Sequence, residues 1–129
     1  MTPPIRPERS RPIEQFQTNR RQQALGQAAP SATSWTTLYT CPKKYMAYGR
    51  VFIVNAGVGA ASTYRVAIRG GGAALTTKHY IVYDRPIDTD DDHHSVELTL
   101  AEDDIVAVYA GDLNLAFNFI GYTEPQDRP

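Results

Sequence analysis

The densest chemistry-bearing stretch is Asp88, Asp90, Asp91, Asp92, His93 and His94, and carboxylates at alternate positions are what a hard cation such as Ca²⁺ prefers. An EF-hand is excluded. Counting from Asp88, His93 falls at the sixth position, where the sharp turn needs glycine, and Thr99 at the twelfth, where a bidentate glutamate is needed. What remains is an irregular Ca²⁺ site in a loop, with Asp88, Asp90 and Asp92 as its ligands. The competing reading is a solvated loop tip or a ring of charge near an oligomer axis, whose self-repulsion would fall on protonation of His93 and His94.

The glycine runs do not make a nucleotide site. Gly57 to Ser62 lacks a third glycine and leads into a strand pattern, and Gly70, Gly71 and Gly72 have no Lys-Ser/Thr pair after them. Ser62, Ser95 and Cys41 show no nucleophile elbow, and the consecutive Glu102, Asp103 and Asp104 would point to opposite faces of a strand. The expectation is a protein without catalytic residues and without a cofactor. Cys41, the only cysteine, cannot form an intrachain disulfide and reads as an inert packed thiol.

The elements that must carry these residues follow a period of two. Ser95–Leu100 puts Val96, Leu98 and Leu100 on one side, and Leu113–Tyr122 does the same with Leu113, Leu115, Phe117 and Phe119. Trp35–Thr40 alternates, and Pro42 stops it. Val51 to Val54 is continuously apolar, as in a central strand covered on both faces. Thr63–Arg69 turns Tyr64, Val66 and Ile68 inward and Arg65, Ala67 and Arg69 outward, Lys78–Asp84 opposes Tyr80 and Val82 to Ile81 and Tyr83, and Asp104–Ala110 completes about seven strands. Two hairpins are expected, at Ala101 to Asp104 and at Ala110 to Asp112, with Gly111 free to take positive φ. The fold class is all-β, an antiparallel two-sheet sandwich or jelly roll over residues 35–124, with a short tail at 125–129.

Residues 1–34 differ in kind. They hold five prolines and few large apolar residues, and read as an extended arm with at most a short helix across Ile13 to Leu25. Five arginines against two glutamates give the arm +3, and a total of −1 leaves −4 for the rest. The net charge implies no general attraction to nucleic acid or membrane, no apolar run approaches the ~20 residues of a spanning helix, and Met1 to Ser10 has no secretory signal pattern. Ile5, Arg6, Arg9, Arg11, Ile13, Phe16, Arg20 and Arg21 are expected to anchor the arm on a neighbouring subunit, the alternative being an arm packed along its own domain. Arg65 and Arg69, on one face of one strand, form a basic stripe facing an acidic partner or keep an exposed edge soluble.

Taken in order, Leu25-Gly26-Gln27 with Pro30, Leu38-Tyr39-Thr40 with Pro42, Asn55-Ala56-Gly57, Tyr64 to Ala67, Tyr80 to Asp84, Leu98 to Ala101, Val106 to Ala110 and Leu115 to Gly121 resemble small virion proteins of tailed bacteriophages. The resemblance spans roughly residues 25–124. It implies a non-enzymatic particle component, assembled in the host cytoplasm and located in the virion, that decorates or cements a capsid, or sits at a neck or tail. Implied partners are other copies of the chain, as a trimer, and the major capsid or other virion proteins. The alternative is a tail or fibre module binding a host glycan through the loops 56–62 and 70–77.

Overall fold

A computed structural model describes residues 21–57, 61–89 and 93–126. Eight strands form two four-stranded antiparallel sheets: β1 (Gln23–Ala28), β2 (Trp35–Thr40), β3 (Tyr45–Asn55), β4 (Ser62–Arg69), β5 (Tyr80–Ile87), β6 (His94–Leu100), β7 (Ile105–Ala110) and β8 (Leu115–Pro125). One sheet has the order β1-β8-β3-β6, the other β2-β7-β4-β5. Only β4 and β5 are chain neighbours that also pair, so every other connection crosses from sheet to sheet. No helix among the described residues is long and apolar enough to cross a membrane.

Alternation builds the core. Val51 and Ile53 of β3, Leu98 and Leu100 of β6, and Leu115, Phe117 and Phe119 of β8 face Tyr64 and Val66 of β4 and Val106 and Val108 of β7. Across the layers, Tyr64 meets Phe117 edge to face at 6.3 Å, and Tyr39 meets Phe119 at 5.4 Å. Such pairs add to area burial because ring edges and faces carry opposite partial charge. The fully buried Tyr64 needs a partner for its hydroxyl and finds one in His94 Nδ1 at 2.9 Å.

Several expectations are corrected. Where about seven strands are expected, the described residues form eight, because Gln23–Ala28 pairs with β8. That strand rules out helix at Gln23 to Leu25, Arg21 and Gln22 are not helical either, and residues 13–20 of the expected helix lie outside the described residues. The turns at Ala101 to Asp104 and Ala110 to Asp112 are not hairpins, since each joins strands of different sheets, and Gly111 keeps an ordinary φ. Leu113 is 71% exposed, because the sandwich begins only at Leu115. Phe52 and Val54 are half-buried on the outer face of β3, which no other described element covers. The last strand extends to Pro125, so the expected tail begins inside the sheet.

The β1/β2 side closes by direct approach of two backbones. A Cβ on Gly26 would collide with the Leu38 carbonyl oxygen and lie 3.4 Å from Tyr39 Cβ. Only hydrogen fits there. Gly26→Ala is therefore expected to lower stability by about 3 kcal/mol in urea unfolding, from overpacking against backbone that cannot swing aside.

Cys41 is fully buried, and its backbone bonds both Asp103 and Asp104. Burial, reinforced by the carboxylates of Asp104, Asp103 and Glu102, pushes its thiol from 9.0 up to about 11. Burial also raises Tyr39 and Tyr64. The native state thus holds protons that the unfolded chain releases, and for Cys41 the stability present below pH 9 is lost as pH rises through 11, by up to about 1.4 kcal/mol per pH unit. Thermal melts across that range should show a shallower alkaline decline for Cys41→Ala, and a thiol reagent at pH 8 should label the wild-type chain only on unfolding.

Candidate binding surface

The outer face of the β2-β7-β4-β5 sheet gathers the arginines and aromatic rings. Register puts Trp35 beside Tyr109 and Tyr109 beside Arg65, with Thr37, Ala107, Ala67 and Tyr80 as the next row. On β5 the ladder is irregular: Tyr64 pairs with Arg85 and Val66 with Val82, so Tyr83 and Asp84 together stand opposite Arg65. Asp84 adopts φ 50°, a left-handed conformation that aspartate tolerates better than most residues. A second shift brings Tyr80 opposite Ala67 while Val82 faces the core, which corrects the expectation that Tyr80 and Val82 share a side.

This irregularity gives Arg65 three partners at once. Its Nε donates to Asp84 Oδ1 at 2.6 Å and a terminal nitrogen to Oδ2 at 3.2 Å. Its guanidinium carbon lies 4.4 Å from the Tyr83 ring centroid and 4.2 Å from that of Tyr109. The hydrogen bond it donates to Asp84 raises the guanidinium further above its ordinary range. Tyr83 stacks on Tyr80 at 5.1 Å, Tyr80 on Trp35 at 5.7 Å, and Trp35 tilts against Tyr109 at 5.6 Å. Trp35, Tyr80, Tyr83, Arg65 and Tyr109 therefore form a closed circuit. Ala67 and Ala107 make its floor, at 0% and 4% exposure although they face away from the core.

Arg69 projects on the same side but turns to the following loop, donating to the carbonyls of Ala73 at 2.6 Å and Gly72 at 3.2 Å. Gly71 and Gly72 have φ of 62° and 78°, so the glycine run serves a turn clamped by Arg69 and by Asp104, which accepts from the Gly71 N–H. Both cations of the expected stripe are thus engaged within the chain. Ile81 and Tyr83, 50% and 56% exposed, form the rim of the circuit on the open β5 edge. The ring faces are occupied by one another, and the loops 56–62 and 70–77 adjoin opposite ends of β4.

Of the remaining expected site residues, Arg21 is exposed, and Ile5, Arg6, Arg9, Arg11, Ile13, Phe16 and Arg20 lie outside the described residues. So do Asp90 and Asp92; Asp88 is described, and no three His, Cys, Asp or Glu among the described residues come together to hold a metal. The histidines serve the fold: His79 Nδ1 accepts from the Thr76 N–H, His93 meets the Phe52 ring at 5.3 Å and His94 bonds Tyr64.

No protein-family model matches the chain, and no curated protein matches it in sequence. Two solved structures similar to it are both described as a pentameric capsid protein isolated from metagenomic phage sequences. One has 10% identity and a TM-score of 0.44, over 98% of this chain and 82% of that one. The other has 12% identity and a TM-score of 0.40, over 98% and 80%.

Arg65→Ala removes a bidentate pair and two ring contacts and should cost about 2 kcal/mol in chemical denaturation. Arg65→Lys should recover less than half of that, since an ammonium cannot fork to Asp84 or lie flat between two rings. Full recovery by lysine would show that charge alone holds the circuit.

Proposed function

We propose that this chain is a non-enzymatic structural protein of a bacteriophage virion, a jelly-roll domain of the capsid or of a layer cementing it, which assembles with copies of itself. The carrying observation is the Trp35-Tyr80-Tyr83-Arg65-Tyr109 circuit on an outer sheet face. Trp, Tyr and Arg are the residues that concentrate binding energy at protein interfaces, and rings locked by stacking lose little entropy when a partner covers them. The eight-strand order β1-β8-β3-β6 over β2-β7-β4-β5 supports the jelly-roll reading, a wound sandwich that recurs in viral coats. The sequence pieces that resemble tailed-phage virion proteins lie along the same strands. The arm, with Arg6, Arg9, Arg11, Ile13, Phe16, Arg20 and Arg21, is assigned to the neighbouring subunit, and a ring of three is the assembly proposed.

Native mass spectrometry of the full chain tests this reading. An oligomer of defined order is expected, and replacing Ile81 and Tyr83 together by serine should weaken it at least tenfold, about 1.4 kcal/mol, with an unchanged circular dichroism spectrum. A chain that stays monomeric at its highest soluble concentration would overturn the proposal.

A further inference from the structure

We propose that residues 13–20 of one copy add as a fifth strand to the β6 edge of the β1-β8-β3-β6 sheet of a second copy. This rests on the assembly reading above and names where the arm docks.

The first argument is the edge itself. Four strands end the two sheets, and three are broken as templates: β1 shifts register between Ala24 and Gly26, β2 between Thr37 and Tyr39, and β5 twice, with Pro86 removing a further donor. Such breaks are how sheets avoid adding strands. β6 has none. All seven of its residues pair in unbroken register with Ala47 to Ile53 of β3, and it contains neither proline nor left-handed backbone. Among the described residues no strand pairs with its other side, which from Ser95 to Leu100 presents a regular row of backbone donors and acceptors.

Charge selects the occupant. Residues 88–104, which contain β6, carry eight carboxylates and no lysine or arginine, with the exposed Glu97 midway along the strand. Residues 1–21 hold Arg6, Arg9, Arg11, Arg20 and Arg21 against Glu8 and Glu14. A second β6 would set acid against acid, whereas residues 13–20 are neutral, Glu14 against Arg20, and are flanked by the cations Arg6, Arg9, Arg11 and Arg21.

Length and proline spacing choose the segment. Pro3, Pro4, Pro7 and Pro12 exclude the first twelve residues from a ladder, and from Ile13 to Arg20 eight residues without proline match the seven of β6. The arm joins the sheet at β1, which lies at the opposite edge from β6, so the chain's own arm would have to pass β8 and β3 to reach its own β6. A copy placed alongside offers its β6 directly.

The test places single cysteines in a Cys41→Ala background of the full chain, Gln17→Cys in one tagged copy and Thr99→Cys in a differently tagged copy, mixed and oxidised. Disulfide dimers carrying both tags are expected, and hydrogen exchange of Val96 to Leu100 should slow in the oligomer relative to the dilute chain. With Thr37→Cys on the β2 edge as the second partner, the mixed dimer should not form. Oligomers that form while Thr99 gives no mixed dimer and β6 gains no protection would overturn this inference and leave the assembly reading intact. Absence of any oligomer would overturn both.

Discussion

Everything in this fold is referred to one unbroken ladder, the eleven antiparallel pairs from Tyr45–Pro125 to Asn55–Leu115 between β3 and β8. With β3 in place, a slip of β8 by one residue would turn Phe117 and Phe119 to solvent and Asn118 and Ile120 into the core. Burying each of those phenylalanines contributes on the order of 2–3 kcal/mol, so the slipped register is beyond reach of a domain stable by some 5–15 kcal/mol. Because β1 and β6 hang from the two sides of this pair, the closed corner at Gly26 and the regular edge at β6 are both consequences of it.

The second sheet treats regularity in the opposite way. β5 gives up a continuous ladder, and in exchange two consecutive residues, Tyr83 and Asp84, reach one arginine. A regular β5 would send Tyr83 and Asp84 to opposite faces and leave Arg65 with one partner or the other. The irregularity therefore does two jobs: it disarms an edge that carries Ile81 and Tyr83 in the open, and it assembles a rigid aromatic and cationic surface beside that edge.

Period two made much of the sandwich legible in the sequence. The inward sets Tyr64, Val66 and Ile68, then Val96, Leu98 and Leu100, then Leu115, Phe117 and Phe119 all follow from alternation alone. β1 escaped because Gln23–Ala28 has one large apolar residue, Leu25, and an edge strand needs only one when its neighbour supplies the core. Turn residues show that the chain reverses without showing which sheet it enters, so Ala101 to Asp104 and Ala110 to Asp112 read as hairpins although both bridge layers. Bulges leave still less trace. Arg65 and Arg69 were visible as neighbours on one face, but their capture by Asp84 and by the Gly72 and Ala73 carbonyls depends on local backbone geometry that no alternation pattern encodes.

The separation of charge along the chain bears on the form of assembly. A net charge of −1 conceals a cationic leader and an acidic β6 region, which lie far apart in the sequence. Association through unlike surfaces is head to tail, and it either closes into a ring or continues as a filament. β1, where the leader enters, and β6, where it is proposed to dock, bound opposite edges of one sheet, so each added copy repeats the same lateral step. The twist between successive strands rotates each step relative to the last, and an accumulated rotation is what lets a small number of copies close on themselves. In a closed ring every leader and every β6 edge is matched, which removes the template that an open edge would offer to further chains. In the proposed docking, salt would weaken the attraction between the two segments by screening but would leave the backbone ladder, so ionic strength should act on the rate of closure more than on the stability of such a ring.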